Sequence, residues 1–222
     1  MREIRRREEP QALDQEEVGR LIARALAEGD EAMALLIRLL YESGARISEA
    51  LALRPADIRF ASMAAWAILP NLKRRRRPGE KHPVKRCVIS SALAADLLSY
   101  ATLQGIPDDG YVFRSPREPN VPLTRQYVWK RFQELAGAEG IRRIGRDGRL
   151  RPAWPHTLRH GCAHRLVLAG VAAPIIQQQL GHASLGTTQR YFDLSDDTRV
   201  RVLSRIAETL MSRPARPQAD NR

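Results

Sequence analysis

His156-Thr157-Leu158-Arg159-His160 is followed by Leu180-Gly181-His182 and then, nine residues beyond His182, by Tyr191. The periodicity between and around these residues predicts helices over 157–169, 174–180 and 184–192, with Pro174 suited to a helix start. His156 and Arg159, three residues apart, then share one helix face. Taken alone, each piece is weak. Two histidines near an arginine usually reflect local capping, and a single helical tyrosine usually packs. The pattern is not His-Glu-x-x-His, so zinc hydrolysis finds no support.

Upstream, Ser43-Gly44-Ala45-Arg46-Ile47-Ser48-Glu49-Ala50 places Arg46 just after a glycine that can stop a helix, and Glu49 three residues on. By itself this reads as a surface ion pair. Asp14 and Glu17 have capping-box spacing and open a helix carrying Val18, Leu21, Ile22, Ala25 and Leu26. Asp30 caps the next helix, which Gly44 ends; a short helix follows, and Pro55 closes it. Residues 58–61, 64–72 and 83–90 have β-type character, and the last two flank a turn at Arg77-Pro78-Gly79-Glu80. Helices resume over about 91–103 and 124–137. Residues 139–153, rich in Gly and Arg, read as a loop. A final amphipathic helix, about 196–211, carries Val200, Leu203, Ile206, Ala207 and Leu210 on one stripe. The predicted fold class is mainly α with a small antiparallel β-sheet (α+β) and a basic hairpin.

The bulk numbers agree with one basic domain. In 222 residues, 37 Lys and Arg stand against 25 Asp and Glu, a net charge of +12, which suits a polyanionic partner. Aromatic residues make up 5%, so the core must be built mainly from Ala, Leu, Ile and Val. Cys87 and Cys162 have no metal-ligand spacing and read as buried free thiols of a reducing cytosol. No apolar run has transmembrane length, and Met1 to Pro10 lacks a signal-peptide core, so a cytoplasmic protein without membrane contact is expected.

Together, Arg46-x-x-Glu49, a basic hairpin, His156-x-x-Arg159, Leu-Gly-His182 and Tyr191 form an ordered set that resembles the tyrosine recombinase (phage integrase) family of DNA strand-exchange enzymes. The resemblance covers about residues 11–211 and implies that family's catalytic-domain fold. It implies site-specific cutting and rejoining of double-stranded DNA through a 3′-phosphotyrosine, as in integration, excision or inversion. Tyr191 would be the nucleophile, Arg46, Arg159 and His182 donors to the scissile phosphate, and His156 the general base. A hairpin lysine would protonate the leaving 5′-oxygen; Lys73 fits the end of the first hairpin strand best and Lys81 is second. Glu49 and His160 would support the site. No cofactor, metal or ATP is implied, because the phosphotyrosine conserves the bond. The resemblance further implies a homo-oligomer, a tetramer, on DNA.

Other basic residues are candidate DNA contacts: Arg74, Arg75, Arg76 and Arg77 in the hairpin, Arg125, Lys130 and Arg131 on one helix, and Arg142, Arg143, Arg146, Arg149 and Arg151 in the loop before His156. The bland alternative is a solvated basic surface. Residues 1–10 and 212–222 read as flexible ends around a catalytic domain over 11–211. No separate N-terminal core-binding domain like that of full-length relatives is expected in these residues, so the reading is of either an excised catalytic domain or a short natural member, with an accessory partner helping to choose the DNA site. Two rival readings remain. One is DNA relaxation of the type IB topoisomerase kind; the other is a non-catalytic DNA-binding protein with the same fold.

Overall fold

The computed structural model describes residues 12–72, 83–145 and 147–181. Helix α1 (Gln15–Ala27) opens with the expected capping box: the Asp14 carboxylate accepts from Glu17 N at 2.8 Å, and the Glu17 carboxylate accepts from Asp14 N at 3.1 Å. Val18, Leu21 and Ala25 are buried, whereas Leu26 lies outside the packed stripe and is exposed.

Helix α2 (Glu31–Ser43) is the centre of the molecule. Asp30 caps it by accepting from Met33 N at 3.1 Å. Leu36, Ile37, Leu39 and Leu40 are fully buried, because the helix is covered by α1 and by three later elements: strand β3 (Val84–Ile89) and helices α4 (Ser91–Leu103) and α6 (His156–Leu168). A helix apolar on most of its circumference must be enclosed in this way.

Strands β1 (Ile58–Phe60), β2 (Ala65–Pro70) and β3 form an antiparallel sheet in that order. The register sets Ala65 opposite Ile89, Ala67 opposite Cys87 and Leu69 opposite Lys85. All six of these residues face inward and are buried, and Lys85 is the charged one. Beyond the ladder, Asn71 N donates to Pro83 O at 2.6 Å, so the two strands leave the sheet still paired. The hairpin tip that follows, with Lys73, Arg74 to Arg77 and Lys81, lies outside the described residues.

Helix α4 is capped by Ser90, whose hydroxyl accepts from Leu93 N, and the Glu42 carboxylate in turn holds Ser90 N at 2.7 Å. Helix α5 (Arg125–Ala138) starts at Thr124 and buries Val128, Phe132, Leu135 and Ala136. The segment read as a loop over 139–153 contains a short hairpin instead: β4 (Arg142–Ile144) pairs antiparallel with β5 (Leu150–Pro152). Three-residue strands rich in Arg carry no alternating apolar pattern, and the two glycines of the turn dominate the composition. Gly148 takes φ +74°, and Gly145 N donates to Arg149 O at 2.8 Å to close the turn.

Helix α6 and helix α7 (Ala173–Leu180) pack on each other through Cys162, Ala163, Val167, Ile176 and Leu180. Both cysteines are free and buried. Where the chain enters α1 it crosses α6: Leu13 N donates to Thr157 O, and a Cβ on Gly161 would stand 2.4 Å from Leu13 O. No side chain fits there. The expected helices at 184–192 and 196–211 lie outside the described residues. Among the described residues, no helix is long and apolar enough to cross a membrane.

Candidate active site

Three stretches that are far apart in sequence meet at Gly44. This residue ends α2 in the left-handed region, φ +61°, with its N–H bonded to Leu40 O. A Cβ there would lie 2.3 Å from Leu180 Cδ2 of α7 and 3.0 Å from Cys162 Sγ of α6. Gly44 O accepts from the Arg159 guanidinium of α6. Glycine is therefore required twice, for its backbone conformation and for space. Gly44→Ala is expected to lower stability by about 2–4 kcal/mol, adding left-handed strain to overpacking, with urea unfolding as the measurement.

The turn at Gly44 delivers Arg46 to the start of helix α3 (Ile47–Ala50). The Glu49 carboxylate curls back and accepts from Arg46 N at 3.0 Å and from the Arg46 guanidinium at 2.7 Å. Glu49 is fully buried, while about a quarter of the Arg46 side chain stays exposed. The supposed surface ion pair is thus a buried carboxylate orienting a partly exposed guanidinium. Glu49 has a second cationic partner: Lys85 Nζ stands 2.7 Å from Oε2, the oxygen that also accepts from Arg46 N, and is itself buried. Burial alone would push the Glu49 carboxyl up; the charge and hydrogen bond of Lys85, with the bonds from Arg46, outweigh it and hold Glu49 below the usual carboxylate range.

A lowered carboxyl contributes stability above its unfolded value and loses it as pH falls through its folded value. Glu49→Gln leaves Lys85 buried beside a neutral amide, a change that typically costs about 3–5 kcal/mol. The stability gap between wild type and this variant is expected to be widest near neutral pH. It should narrow below the usual carboxylate range, as read by denaturant melts at a series of pH values.

Arg159 is buried on α6, one turn beyond His156, which is exposed at the helix start. The His156 and His160 rings meet edge to face, with centroids 4.8 Å apart. Thr157 between them is buried, its hydroxyl donating to Trp154 O at 2.5 Å, which fixes the first turn of α6. The Gly44 turn therefore gathers two guanidiniums, of Arg46 and Arg159, and one helical turn before Arg159 on α6 an exposed imidazole packs against a second. Helix α7 ends at Gly181, φ +67°, immediately before His182. His182 and Tyr191 lie outside the described residues.

The candidate DNA contacts divide by environment. Arg125 and Arg142 are exposed, and Lys130 is exposed with Glu134 at 4.0 Å. Arg131 is engaged by three carboxylates: Glu28 at 2.6 Å, Asp30 at 2.8 Å and Glu134 at 3.4 Å. Arg143 pairs with Glu17 and donates to Ala12 O, tying β4 to the start of α1. Arg151 pairs with Asp147 at 2.5 Å, and Arg149 is exposed on the same hairpin. Arg146 lies outside the described residues. Sequence reasoning assigned no role to Lys85 or Gln179. The Gln179 amide accepts from Val88 N at 2.9 Å, donates to Val88 O at 2.8 Å and reaches Glu42 O at 3.3 Å.

Comparison with known proteins agrees with this geometry. Residues 11–198 match the phage integrase family, and the chain belongs to that family. It is similar to the tyrosine recombinase XerD of Caulobacter vibrioides, with 32% identity over 185 residues, covering 82% of this chain and 57% of that protein. Tyrosine recombinase XerA of Pyrococcus furiosus is 30% identical over 183 residues, with the same two coverages. The chain thus spans less than two thirds of the length of these curated relatives. Among solved structures, a XerA recombinase aligns over 92% of this chain and 64% of its own, with TM-score 0.61 and 25% identity. A XerH site-specific recombinase bound to a palindromic difH substrate, in a post-cleavage complex, aligns over 90% and 54%, with TM-score 0.68 and 21% identity. The fold is that of tyrosine recombinase catalytic domains, mixed α+β and mainly helical, as the sequence led us to expect.

Proposed function

We propose that this chain cuts and rejoins double-stranded DNA at specific sites through a 3′-phosphotyrosine formed on Tyr191. The observation that carries the reading is the convergence at Gly44 of Arg46, Arg159 and the end of α7 that leads into His182. A phosphodiester resists attack because its non-bridging oxygens are negative, and attack adds charge to them. Forked guanidinium donors fixed in advance match that charge without reorganising. Arg46 and Arg159 take this role, and His182 adds a third donor. His156, exposed at the start of α6, receives the phenol proton. The phenolate oxygen of Tyr191 bonds to phosphorus as the 5′-oxygen leaves, and the hairpin lysine, Lys73, supplies that oxygen's proton. The reverse step, attack by a DNA 5′-hydroxyl, releases Tyr191, so bond count is conserved without ATP.

Glu49 and His160 support the site, the first by orienting Arg46 and the second by packing on His156. On this reading residues 11–211 form the catalytic domain, and DNA is the partner. Four copies assemble on it, as the family resemblance suggests, with an accessory protein contributing to site choice. Exposed Arg125, Arg142 and Lys130, with the hairpin arginines, are the proposed phosphate contacts. Their sum predicts that DNA affinity falls by about 10³-fold or more between 50 and 200 mM salt. Gel-shift titrations at several salt concentrations check this, and a flat dependence would remove these residues from the footprint.

The test of function is adduct formation on nicked suicide duplexes carrying randomised arms. A selected sequence trapped covalently by the protein supports site-specific cleavage. Relaxation of every supercoiled plasmid without sequence preference would replace it with a topoisomerase reading, and no adduct on any duplex would leave a DNA-binding protein.

A further inference from the structure

The structure assigns Lys85 as a positioning residue: buried between α3 and α7, it locks the Arg46–Glu49 pair to the turn at Gly181 that ends α7, the residue before His182 in sequence. The lysine sits on the inward face of β3, where its neighbours in the pleat are Cys87 and Ile89 and its cross-strand partner is Leu69. A charge in such a place is costly unless fully paired. Its pairing reaches in two directions. Toward α3, Nζ lies 2.7 Å from Glu49 Oε2. Toward α7, Nζ reaches Leu180 O at 3.4 Å, a long bond to one of the carbonyls a helix end leaves open.

Gly181 fits the same arrangement. It caps α7 at φ +67°, and a Cβ there would meet Lys85 Cδ at 2.9 Å. The glycine before His182 is thus required partly because the lysine stem runs directly beneath it. Two further bonds from β3 hold the same turn of α7: Cys87 Sγ donates to Gln179 O at 3.4 Å, and Val88 pairs with the Gln179 amide. Strand β3 is also the returning arm of the basic hairpin. One strand therefore connects the hairpin, the Arg46 turn and the approach to His182, and Lys85 is its charged contact to both.

Lys85 is separated in role from the hairpin lysine of the proposed reaction. Its ammonium is committed to Glu49 and to Leu180 O, whereas a group that protonates a DNA oxygen must direct its proton to the scissile phosphate. The consequence for catalysis rests on the strand-transfer reading above; the lock itself does not.

Two measurements test it. Amide hydrogen exchange on the DNA-free chain compares wild type with Lys85→Met. Faster exchange is expected at Gln178–Gly181 and in α3, with α4 and α5 unchanged; unchanged exchange in α7 and α3 would overturn the lock whatever the protein does to DNA. Should Lys85→Met not fold, Lys85→Arg keeps a cation beside Glu49 but places a wider head under Gly181, and the same local acceleration is expected. The second measurement is single-turnover adduct formation on the suicide duplex selected with wild type, at a temperature where the variant is fully folded. Cleavage is expected to fall by about 100-fold with DNA affinity unchanged, since displacement of fixed donors costs rate rather than binding. A duplex with a bridging 5′-sulfur at the scissile bond, whose thiolate leaves without a proton, should not restore the rate. Restoration by sulfur would make Lys85 the proton donor and overturn the positioning role, as would parallel losses of affinity and rate. Failure of wild type to form any adduct would instead sink the strand-transfer reading and leave the exchange result standing.

Discussion

Tyr191→Phe is expected to abolish covalent adduct formation while DNA affinity stays within about twofold of wild type. The substitution removes one oxygen atom, the only one the protein itself bonds to phosphorus in the proposed mechanism. No second hydroxyl in the described site is aligned by the same set: Tyr41 is largely buried against Arg165, and Ser43 is spent donating to Leu39 O at 2.5 Å. Binding rests on the basic surface and on Arg46 and Arg159, which the substitution leaves in place. Denaturing gels of the suicide-substrate reaction give the adduct, and gel shifts give the affinity. A Phe variant that still traps DNA would move the nucleophile elsewhere.

Arg159→Lys is expected to slow adduct formation by about 10²–10³-fold, the usual consequence of losing one preorganised donor to a developing oxyanion. The change keeps a positive charge but removes the planar fork, and the two are not equivalent at a site that depends on direction. Arg159 also donates to Gly44 O from a buried position, so the variant should lose some stability. Measuring the rate well below the melting temperature separates the two effects. A rate within threefold of wild type would mean that Arg159 holds the Gly44 turn and does not meet the phosphate.

Much of this fold is legible in the sequence because its signals are local. The Asp14–Glu17 box, the Asp30, Ser90 and Thr124 caps and the left-handed Gly44 each mark a helix end through short-range bonds. The order of the Arg46, His156–Arg159 and Leu-Gly-His182 boxes is equally local and led to the family. What stays hidden depends on which face of an element turns inward. In Val84-Lys85-Arg86-Cys87-Val88-Ile89, hydrophobicity alone would bury the two valines, yet the register with β2 turns Lys85, Cys87 and Ile89 inside. The reason is Glu49, which offers the lysine a partner from an element 36 residues away. Arg131 and Arg143 illustrate the same limit. Both read as free basic residues, and their closest carboxylate partners, Glu28, Asp30 and Glu17, come from the far end of the chain. The β4–β5 hairpin escaped because three-residue strands are too short to show a period.

The most direct test of the central claim is to map the covalent junction. Wild-type protein is trapped on the selected suicide duplex and digested, and the peptide that retains nucleotide is sequenced by mass spectrometry. A single modified residue, Tyr191, joined to a DNA 3′-phosphate with a free 5′-hydroxyl on the released strand, is the predicted result. Attachment at any other residue, or through a 5′-phosphate, would contradict the account.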